Sequence, residues 1–415
     1  MPLGIYISVP FCRTKCSYCN FASDVFSKAA YESYVARIPE DIAQARELAS
    51  ASGSELEPEA DTIYLGGGTP SILDGAQLVR IFDAVRGQFV VAPNAEITVE
   101  CAPGTLTPSL IAVLRNCGVN RVSLGVQSFV DQEARSVGRL HTRSTVLEEV
   151  ERLRTAGIAN INVDLIAGLP HQTPESWTYS LKETLALGVP HASVYMLEVD
   201  EDSRLGRELI AGGTRYHAHF VPDEEATADY YLQACEMFSA AGIRQYEISN
   251  FAREGMESRH NLKYWTRQPY LGFGVDAHSM LRVQGAKGHD GGSAEAVRFA
   301  TPDSLDAYMG RAPHSVSAVP KRAALEESFF LGLRLNRGID LGQLRQEFTE
   351  AAVARYEPVV AHCVLDGLLE VRASAIQLTE RGRLLSNEVF ARFLPDGGDA
   401  RNEKLEVGTG HVNPR

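Results

Sequence analysis

An alternation of short apolar runs with amphipathic stretches occupies the first half of the chain, from Leu3 to about Asp200, and restricts the fold more than any other feature. Runs rich in β-branched residues predict strands, and stretches with helical periodicity predict the helices that cover them. Because parallel strands need crossover connections, six such repeats indicate an α/β fold with right-handed βα units. A closed barrel needs eight units, so we expect a partial (β/α)6 TIM-like barrel.

The pattern also places the elements along the chain. The predicted strands are Gly4–Val9, Asp61–Leu65, Glu96–Glu100, Arg121–Val126, Asn160–Ile166 and Ala192–Leu197. The predicted helices between them are Tyr31–Ala51, Gln77–Arg86, Pro108–Asn116, Thr142–Ala156 and Pro174–Leu187. In folds of this kind the loops at the carboxyl ends of the strands carry the chemistry, so motifs at those positions receive the most weight.

The pattern changes twice in the second half of the chain. We interpret residues 201–316 as a connector that closes the open barrel, with a helix at Glu224–Ala241, an extended piece at Gln245–Phe251 and a Gly-rich stretch at Gly285–Gly292. Residues 317–394 predict a small winged-helix-like α+β domain. Its helices are predicted at Arg322–Leu333, Leu341–Thr349, Tyr356–Asp366 and Arg381–Phe393. The polar, Gly-rich residues 395–415 predict a disordered tail.

Charge and hydropathy exclude several classes of protein. The 415 residues include 40 Lys and Arg against 53 Asp and Glu, a net charge of −13. Such an acidic chain is poorly suited to bind nucleic acid, and the winged-helix-like domain has no basic helix. No apolar run approaches the roughly 18 residues of a membrane helix, and the N-terminus lacks the basic start of a secretory signal. We therefore expect a cytoplasmic protein with no integral membrane segment and no nucleic-acid partner.

Three of the seven cysteines, Cys12, Cys16 and Cys19, crowd into one loop after the first predicted strand. Their C-x3-C-x2-C spacing suits a cubane iron–sulfur cluster that is held at three corners by thiolates. The fourth iron would then have no protein ligand, so an external molecule could chelate it through an amino and a carboxylate group. The alternatives are a structural zinc site, which would need a fourth ligand, or three reduced cysteines without a role.

This cysteine loop, with the aromatic Tyr18 before its last cysteine, resembles the radical S-adenosylmethionine superfamily. The segments Tyr6–Cys12 and Gly66–Ser71 resemble its oxygen-independent coproporphyrinogen III oxidase branch, which includes the HemW-type haem chaperones. The resemblance implies a radical SAM core over residues 1–200, a 4Fe-4S cluster on the three cysteines, and S-adenosylmethionine as a cofactor.

The same resemblance implies the residues that bind S-adenosylmethionine. Gly67, Gly68 and Thr69 follow the second predicted strand, where glycines let a backbone approach a ligand closely. Taken one at a time, any of these residues is as well explained by a capping or surface role. The implied contacts are Tyr6, Tyr18, Gly67, Gly68, Thr69, Glu100, Gln127, Arg139 and Asp164. The guanidinium of Arg139 is suited to a bidentate pair with the methionine carboxylate.

Two departures from the oxidase pattern favour a carrier of haem over an enzyme. Asn20 and Phe21 follow the last cysteine, where the oxidases usually have a further cysteine, and Ser8 stands where many relatives have histidine. We therefore expect a haem chaperone that passes haem to acceptor haemoproteins such as respiratory-chain components. The alternative is an oxygen-independent coproporphyrinogen III oxidase, which decarboxylates propionate side chains by radical chemistry.

A second motif, His-Asn-x-x-Tyr-Trp, lies in the predicted connector and resembles a signature of HemW-like haem chaperones. The resemblance assigns haem contact to His260, Asn261, Tyr264 and Trp265, with His260 as the candidate ligand of the haem iron. A histidine beside aromatic residues is also well explained as a packed, hydrogen-bonded side chain. The following stretch, 270–279, predicts a tight turn at its glycines and offers His278 as a weaker secondary ligand.

Overall fold

A computed structural model describes residues 1–54, 56–283 and 294–394, and it contains one large sheet and one small sheet. The strands of the large sheet are β1 (Leu3–Val9), β2 (Glu59–Gly67), β3 (Val90–Cys101), β4 (Arg121–Gln127), β5 (Asn160–Ala167), β6 (His191–Met196), β7 (Arg244–Gln245), β8 (Asn250–Ala252), β9 (Tyr270–Phe273), β10 (His278–Arg282), β11 (Ala294–Ala300) and β12 (Ser315–Pro320). The small sheet contains β13 (Ile339–Asp340), β14 (Leu369–Arg372) and β15 (Ala375–Leu378).

Helices cover the sheets and join their strands. Up to β9 they are α1 (Lys28–Ala43), α2 (Ala45–Ala51), α3 (Gly75–Gln88), α4 (Pro108–Asn116), α5 (Asp131–Ser136), α6 (Arg143–Thr155), α7 (Pro174–Ala186), α8 (Arg204–Ala211), α9 (Glu224–Ala240) and α10 (Arg259–Trp265). The later helices are α11 (Leu305–Met309), α12 (Lys321–Gly332), α13 (Leu341–Phe348), α14 (Glu350–Ala354), α15 (Glu357–Leu365), α16 (Glu380–Leu384) and α17 (Ser386–Ala391). No helix in the described part of the chain has the length and apolar character needed to cross a bilayer.

Strands β1 to β6 lie side by side in chain order, and every neighbouring pair among them is parallel. Both faces of these strands are covered, so their side chains are almost continuously buried, as in β1 and β5. The sheet continues at both edges, and its order is β12-β11-β10-β9-β1-β2-β3-β4-β5-β6-β8-β7. The predicted α/β fold of the partial-barrel type is confirmed.

Local signals start most of the barrel helices where the sequence predicts them. Asp74 and Gln77 form a capping box at α3, and Thr107 caps α4 ahead of Pro108. The single helix predicted over Tyr31–Ala51 is instead two helices, α1 and α2. The amide of Gln44 is shared between the carbonyls of Glu40 and Asp41, which tightens the backbone between them.

The prediction of a tight turn through both glycines near residue 272 is wrong. Gly272 lies inside β9, which pairs in parallel with β1 and antiparallel with β10. A Cβ atom at Gly272 would collide with the carbonyl oxygen of His278, so the glycine allows β10 to approach. Only Gly274, with φ +96°, has the backbone of a turn glycine.

The end of the described chain forms a second hydrophobic core. Phe329, Phe348, Cys363, Ile376 and Phe393 are buried together between α12–α17 and the small antiparallel sheet. The predicted closing helix is two short helices, α16 and α17. The predicted domain boundaries stay predictions. The Gly-rich stretch 285–292 and the predicted tail 395–415 lie outside the described residues.

Candidate cofactor site

The cysteine loop leaves the carboxyl end of β1 and is fixed to its surroundings by its own backbone. Phe11 is fully buried and stacks on Tyr31 with ring centroids 4.2 Å apart. Directly after it, the amide of Cys12 donates to the carbonyl of Asp24 at 3.0 Å. The hydroxyl of Thr14 donates to the carbonyl of Gly138 at 2.8 Å, across to the loop after α5. These contacts hold the loop at the mouth of the barrel.

All three thiols of the loop are free, are partly exposed, and border one cleft. Within the described residues, no three His, Cys, Asp or Glu side chains converge on a point that would suit a single metal ion. Burial raises the pKa of Cys12, and hydrogen bonds from Thr69 and Ser23 partly oppose that effect. The hydroxyl of Thr69 lies 3.7 Å from the Cys12 Sγ, a contact that favours a thiolate there.

The glycine run after β2 forms a wall of the cleft that the thiols border. The amide of Gly68 donates to Val9 O, and that of Thr69 to Phe11 O, both at 2.8 Å. A Cβ atom on Gly68 would lie 2.8 Å from each of those two carbonyl oxygens, closer than real Cβ atoms come. Gly67 has φ +99°, a conformation that side chains disfavour. The run is glycine because the strands β1 and β2 end against each other at this point.

Two predicted carboxylates, one near the end of β3 and one in the middle of β5, are held by neighbouring side chains. Glu100 accepts a hydrogen bond from the hydroxyl of Tyr64 at 2.8 Å. Asp164 accepts from the hydroxyl of Ser123 at 2.9 Å and from the side-chain Nδ2 of Asn162 at 2.8 Å. Both carboxylates are nearly buried, so they are oriented before any ligand arrives.

Gln127, Arg139 and the predicted tyrosines complete the arrangement. Gln127 is buried with φ +68°, and its side-chain oxygen accepts no hydrogen bond from the described residues. Arg139 borders the cleft, and its Nη2 donates to the hydroxyl of Tyr18 at 3.2 Å. Tyr6 lies on β1, with its ring 6.2 Å from that of Tyr64. The structure therefore places Arg139 and the glycine run at the cleft, with Tyr18 and Gln127 beside Arg139. Of the other predicted contacts, Tyr6, Glu100 and Asp164 do not line this cleft.

These residues fit the cofactors that the sequence indicates. Three thiols on one loop are the ligand type that iron–sulfur clusters use. The glycine wall leaves backbone within reach of a ligand, and the unsatisfied Gln127 oxygen can accept from an amino or hydroxyl group. His141 also borders the cleft, with its Nε2 3.1 Å from Val126 O, although sequence analysis gave it no role. In the sequence, only its position two residues after Arg139 could have indicated that His141 lies at the cleft.

The predicted haem segment forms α10 and lies in the interior of the molecule. His260 is 1% exposed; its Nδ1 is 2.8 Å from the hydroxyl of Thr62, and its Nε2 is 2.8 Å from that of Tyr264. Burial, together with the charges of Lys263 and Arg121, lowers the pKa of His260 to about 3. Both ring nitrogens are engaged, so neither is available to iron in this conformation. The iron-ligand role of His260 stays a prediction that requires this network to open.

The other predicted haem contacts have structural partners as well. Asn261 is buried, and its amide donates to the capping hydroxyl of Ser258. Trp265 is 2% exposed, and the guanidinium of Arg334 lies 4.2 Å above its ring. His278, the weaker candidate, is exposed and lies 3.8 Å from Asp276 on the far side of β9 from the cysteine loop's strand. The structure does not bring His278 together with His260 at one open site.

Comparisons with known proteins cover nearly the whole chain. Residues 6–183 match the family model of the Radical SAM superfamily, and residues 319–385 match the HemN C-terminal domain. The protein called heme chaperone HemW in Bacillus subtilis (strain 168) is 34% identical over 394 residues, which are 94% of this chain and 98% of that relative. Its namesake in Escherichia coli (strain K12) is 31% identical over 399 residues, with 95% and 99% covered.

A solved structure shows the same fold. Coproporphyrinogen III oxidase (HemN) from Escherichia coli, described as a radical SAM enzyme, superimposes with a TM-score of 0.78. The match covers 94% of this chain and 90% of that protein at 23% identity. At this identity the similarity concerns the arrangement of the elements alone.

Proposed function

Because this chain belongs to the HemW family of radical SAM proteins, we propose that it is a haem chaperone. The resemblance inferred from the cysteine and glycine motifs is confirmed by the family models and by the full-length relatives. In this proposal the protein binds a 4Fe-4S cluster, S-adenosylmethionine and haem, and delivers haem to acceptor haemoproteins. The name of the relatives supports the haem role. The binding of the cluster and of S-adenosylmethionine is supported by one observation in this chain: three free thiols and a glycine wall border one cleft.

In the proposed complex, Cys12, Cys16 and Cys19 hold the cluster. A cluster with three cysteine ligands supplies an open iron for chelation of the amino acid and an electron for reductive chemistry. The backbone at Gly67–Thr69 would receive the methionine amino group, and Arg139 would pair with its carboxylate. Glu100, Gln127 and Asp164 would hydrogen bond to the remaining polar groups, with Tyr6 and Tyr18 beside them.

The loop after the last cysteine supports the carrier over the alternative oxidase. Asn20, where the oxidases usually continue toward a further cysteine, donates from its side chain to Asp200 at 2.8 Å. Ser8, where many relatives have histidine, is 6% exposed and its hydroxyl packs close to Gly67. Neither position offers the imidazole or the further thiol that the oxidase pattern has there.

We include a cytoplasmic location and acceptors of the respiratory-chain type in the proposal. All seven cysteines of the chain are free thiols, which is typical of proteins in a reducing compartment. The net charge of −13 opposes a nucleic-acid partner.

A haem titration of the anaerobically reconstituted protein tests the proposal. We expect about four irons and four sulfides per chain, since a cubane contains four of each, and a saturable Soret band in difference spectra against the haem-free protein. The variant Cys12→Ser is expected to lose most of the iron, whereas the matched control Cys363→Ser, a buried thiol of the second core, retains it. Zinc in place of iron and sulfide, or an unchanged spectrum on addition of haem, would overturn the proposal.

An anaerobic assay with coproporphyrinogen III separates the two candidate activities. The protein is incubated with S-adenosylmethionine and a reductant, and products are followed by chromatography. We expect no protoporphyrinogen, and robust turnover would establish the oxidase in place of the carrier.

A further inference from the structure

His141 is a buried histidine on the wall of the cofactor cleft, and the proposed complex gives it no role. Its side chain is 7% exposed, and it borders the cleft together with Arg139 and the three thiols of the cysteine loop. The Nε2 of the ring lies 3.1 Å from Val126 O, near the end of β4. No described residue forms a hydrogen bond with Nδ1 of the same ring. One edge of this imidazole is therefore satisfied by the protein, and the other edge is not.

The contact with Val126 fixes which ring nitrogen carries the hydrogen. A carbonyl oxygen can only accept a hydrogen bond, so Nε2 is the nitrogen that donates. Burial, together with the positive charge of Arg139, lowers the pKa of His141 to about 4, which leaves the ring neutral at physiological pH. A neutral imidazole has a single N–H, so its Nδ1 presents a lone pair. His141 therefore offers the cleft an acceptor in one defined tautomer.

The loop that carries His141 is held at both of its ends. At the end of α5 the amide of Arg139 donates to Ala134 O at 3.0 Å. Directly after His141, Thr142 is the N-cap of α6 and accepts from the amide of Thr145. The orientation of the ring is thus set by the fold before any ligand arrives.

The same loop is fastened to the cysteine loop. The amide of Ser17 donates to Val137 O at 3.2 Å, and the hydroxyl of Thr14 donates to Gly138 O at 2.8 Å. A Cβ atom at Gly138 would lie 3.6 Å from the Cα of Cys16, so the two backbones are in close contact. The wall that carries His141 is therefore fixed in position relative to the thiols.

His141 and Arg139 offer opposite hydrogen-bonding groups to the cleft. A guanidinium only donates and suits a carboxylate, whereas Nδ1 of a neutral imidazole only accepts and suits an amino group. The described residues that line the cleft include no Asp or Glu, and their hydroxyls can both donate and accept. An α-amino acid carries an amino group and a carboxylate on one carbon atom. The two side chains together match such a head group.

We propose that Nδ1 of His141 accepts a hydrogen bond from the amino group of S-adenosylmethionine, while Arg139 pairs with the carboxylate of the same head group. This inference rests on the proposed binding of S-adenosylmethionine at the cleft and adds a residue to it. An amino group has more than one N–H, so it can donate to His141 and also to the glycine backbone. His141 then distinguishes the amino end of the head group from its carboxylate end.

Two substitutions at this position separate a contact with the ligand from a structural hydrogen bond. The side-chain amide of Gln reaches the position of Nε2, and that of Asn reaches the position of Nδ1. His141→Gln therefore keeps a donor to Val126 O and removes the acceptor, and His141→Asn does the reverse. We expect His141→Gln to weaken S-adenosylmethionine binding by about tenfold or more, as loss of a hydrogen bond to a charged group does, and His141→Asn to stay within about threefold of the original protein.

Equilibrium dialysis of the reconstituted full-length proteins measures these affinities, and iron and sulfide content should be the same in all of them. The matched control His362→Gln makes the same change at an exposed histidine of α15 and should bind as the original protein does. A second probe is 5′-methylthioadenosine, which keeps the ribose hydroxyls and lacks the amino-acid head group. It should bind equally well to His141→Gln and to the original protein.

The outcomes separate this inference from the proposed function. If the original protein binds no S-adenosylmethionine, the proposed function fails, and this inference fails with it. If the original protein binds it and His141→Gln binds equally well, or if His141→Asn is the weaker variant, the proposed function survives and this inference is wrong. A loss of affinity for 5′-methylthioadenosine in His141→Gln would overturn the assignment to the amino group.

Discussion

At the scale of single residues, burial decides the chemistry of this molecule's histidines. Burial is the main cause that lowers the pKa of His141 to about 4 and that of His260 to about 3, and it places the pKa of His191 well below its ordinary value. The positive charge of Arg121 acts in the same direction on His191 and His260. These rings are neutral hydrogen-bonding groups in the folded protein. In the unfolded chain the same rings are protonated below a pH of about 6.5.

This difference predicts a loss of stability in acid. Below a pH of about 6.5 the unfolded chain binds a proton at residue 260, and the folded protein does not until the pH approaches about 3, so the free energy of unfolding falls as the pH falls through this window. In His260→Asn, the slope of that free energy against pH should decrease by about 1.4 kcal/mol per pH unit at pH values of about 4.5 to 5.5.

Urea unfolding of the cluster-free chain at several pH values measures the slope. The control His362→Asn changes an exposed histidine of α15 and should leave the slope as it is. Parallel profiles for the original protein and His260→Asn would contradict the prediction.

At the scale of elements, the ends of β1 and β2 determine the geometry of the site. The two strands run parallel in register up to the pair Val9 and Gly67, where the cysteine loop and the glycine run diverge. A Cβ atom on Gly67 would lie 2.9 Å from the hydroxyl of Ser8, and its φ of +99° adds strain to any side chain. The site therefore depends on how closely two backbones approach, and not only on its thiols.

Gly67→Ala should weaken S-adenosylmethionine binding by about fivefold or more, because the added Cβ atom displaces the backbone at this position. A fivefold change corresponds to roughly 1 kcal/mol of binding free energy. The control Gly255→Ala has a similar φ of +77°, and a Cβ atom there would meet no neighbour within 4 Å. Gly255→Ala therefore has the backbone strain of a positive φ without a steric contact. Its free energy of unfolding should fall by a similar amount, and its affinity for S-adenosylmethionine should stay the same. Equilibrium dialysis with the reconstituted proteins measures both, and equal affinities for the two variants would refute the argument.

At the scale of the whole molecule, a buried ion pair joins the second core to the extension of the large sheet. Glu327 on α12 is 8% exposed; its carboxylate lies 3.1 Å from the Nε of Arg267 and 2.9 Å from the Nη2 of Arg298 on β11. The second core also includes Tyr270 and Met280 from β9 and β10. The end of the described chain is thus fastened to the strands that extend the barrel sheet beyond β1.

Glu327→Ala should lower the free energy of unfolding by about 3–5 kcal/mol, because it leaves Arg267 buried without its partner. The control Glu40→Ala breaks the exposed pair with Arg311 and should cost about 1 kcal/mol or less. Chemical unfolding of the two variants provides the comparison. A similar small loss in both would show that the pair at Glu327 does not couple the two cores.

Much of the barrel was predictable because its signals are local in the chain. Strand β5 and helices α4 and α7 begin where the sequence places them, since apolar periodicity and caps such as Thr107 act over a few residues. Four strands of the large sheet, β9 to β12, were missed, as was the two-residue strand β13 of the small sheet. The run at β9 is only four residues long and contains Gly272, so its identity as a strand comes from pairing with β1, more than 250 residues earlier.

The spacing of Cys12, Cys16 and Cys19 predicts an iron–sulfur cluster at the carboxyl ends of the barrel strands, because that prediction depends on neighbours in the chain. That His260 is enclosed between Thr62 and Tyr264 follows from the folded structure, because Thr62 is supplied from 198 residues earlier in the chain. The reason is physical: whether an imidazole is a ligand or a packed hydrogen-bonding group depends on solvent and on partners that the chain supplies from far away.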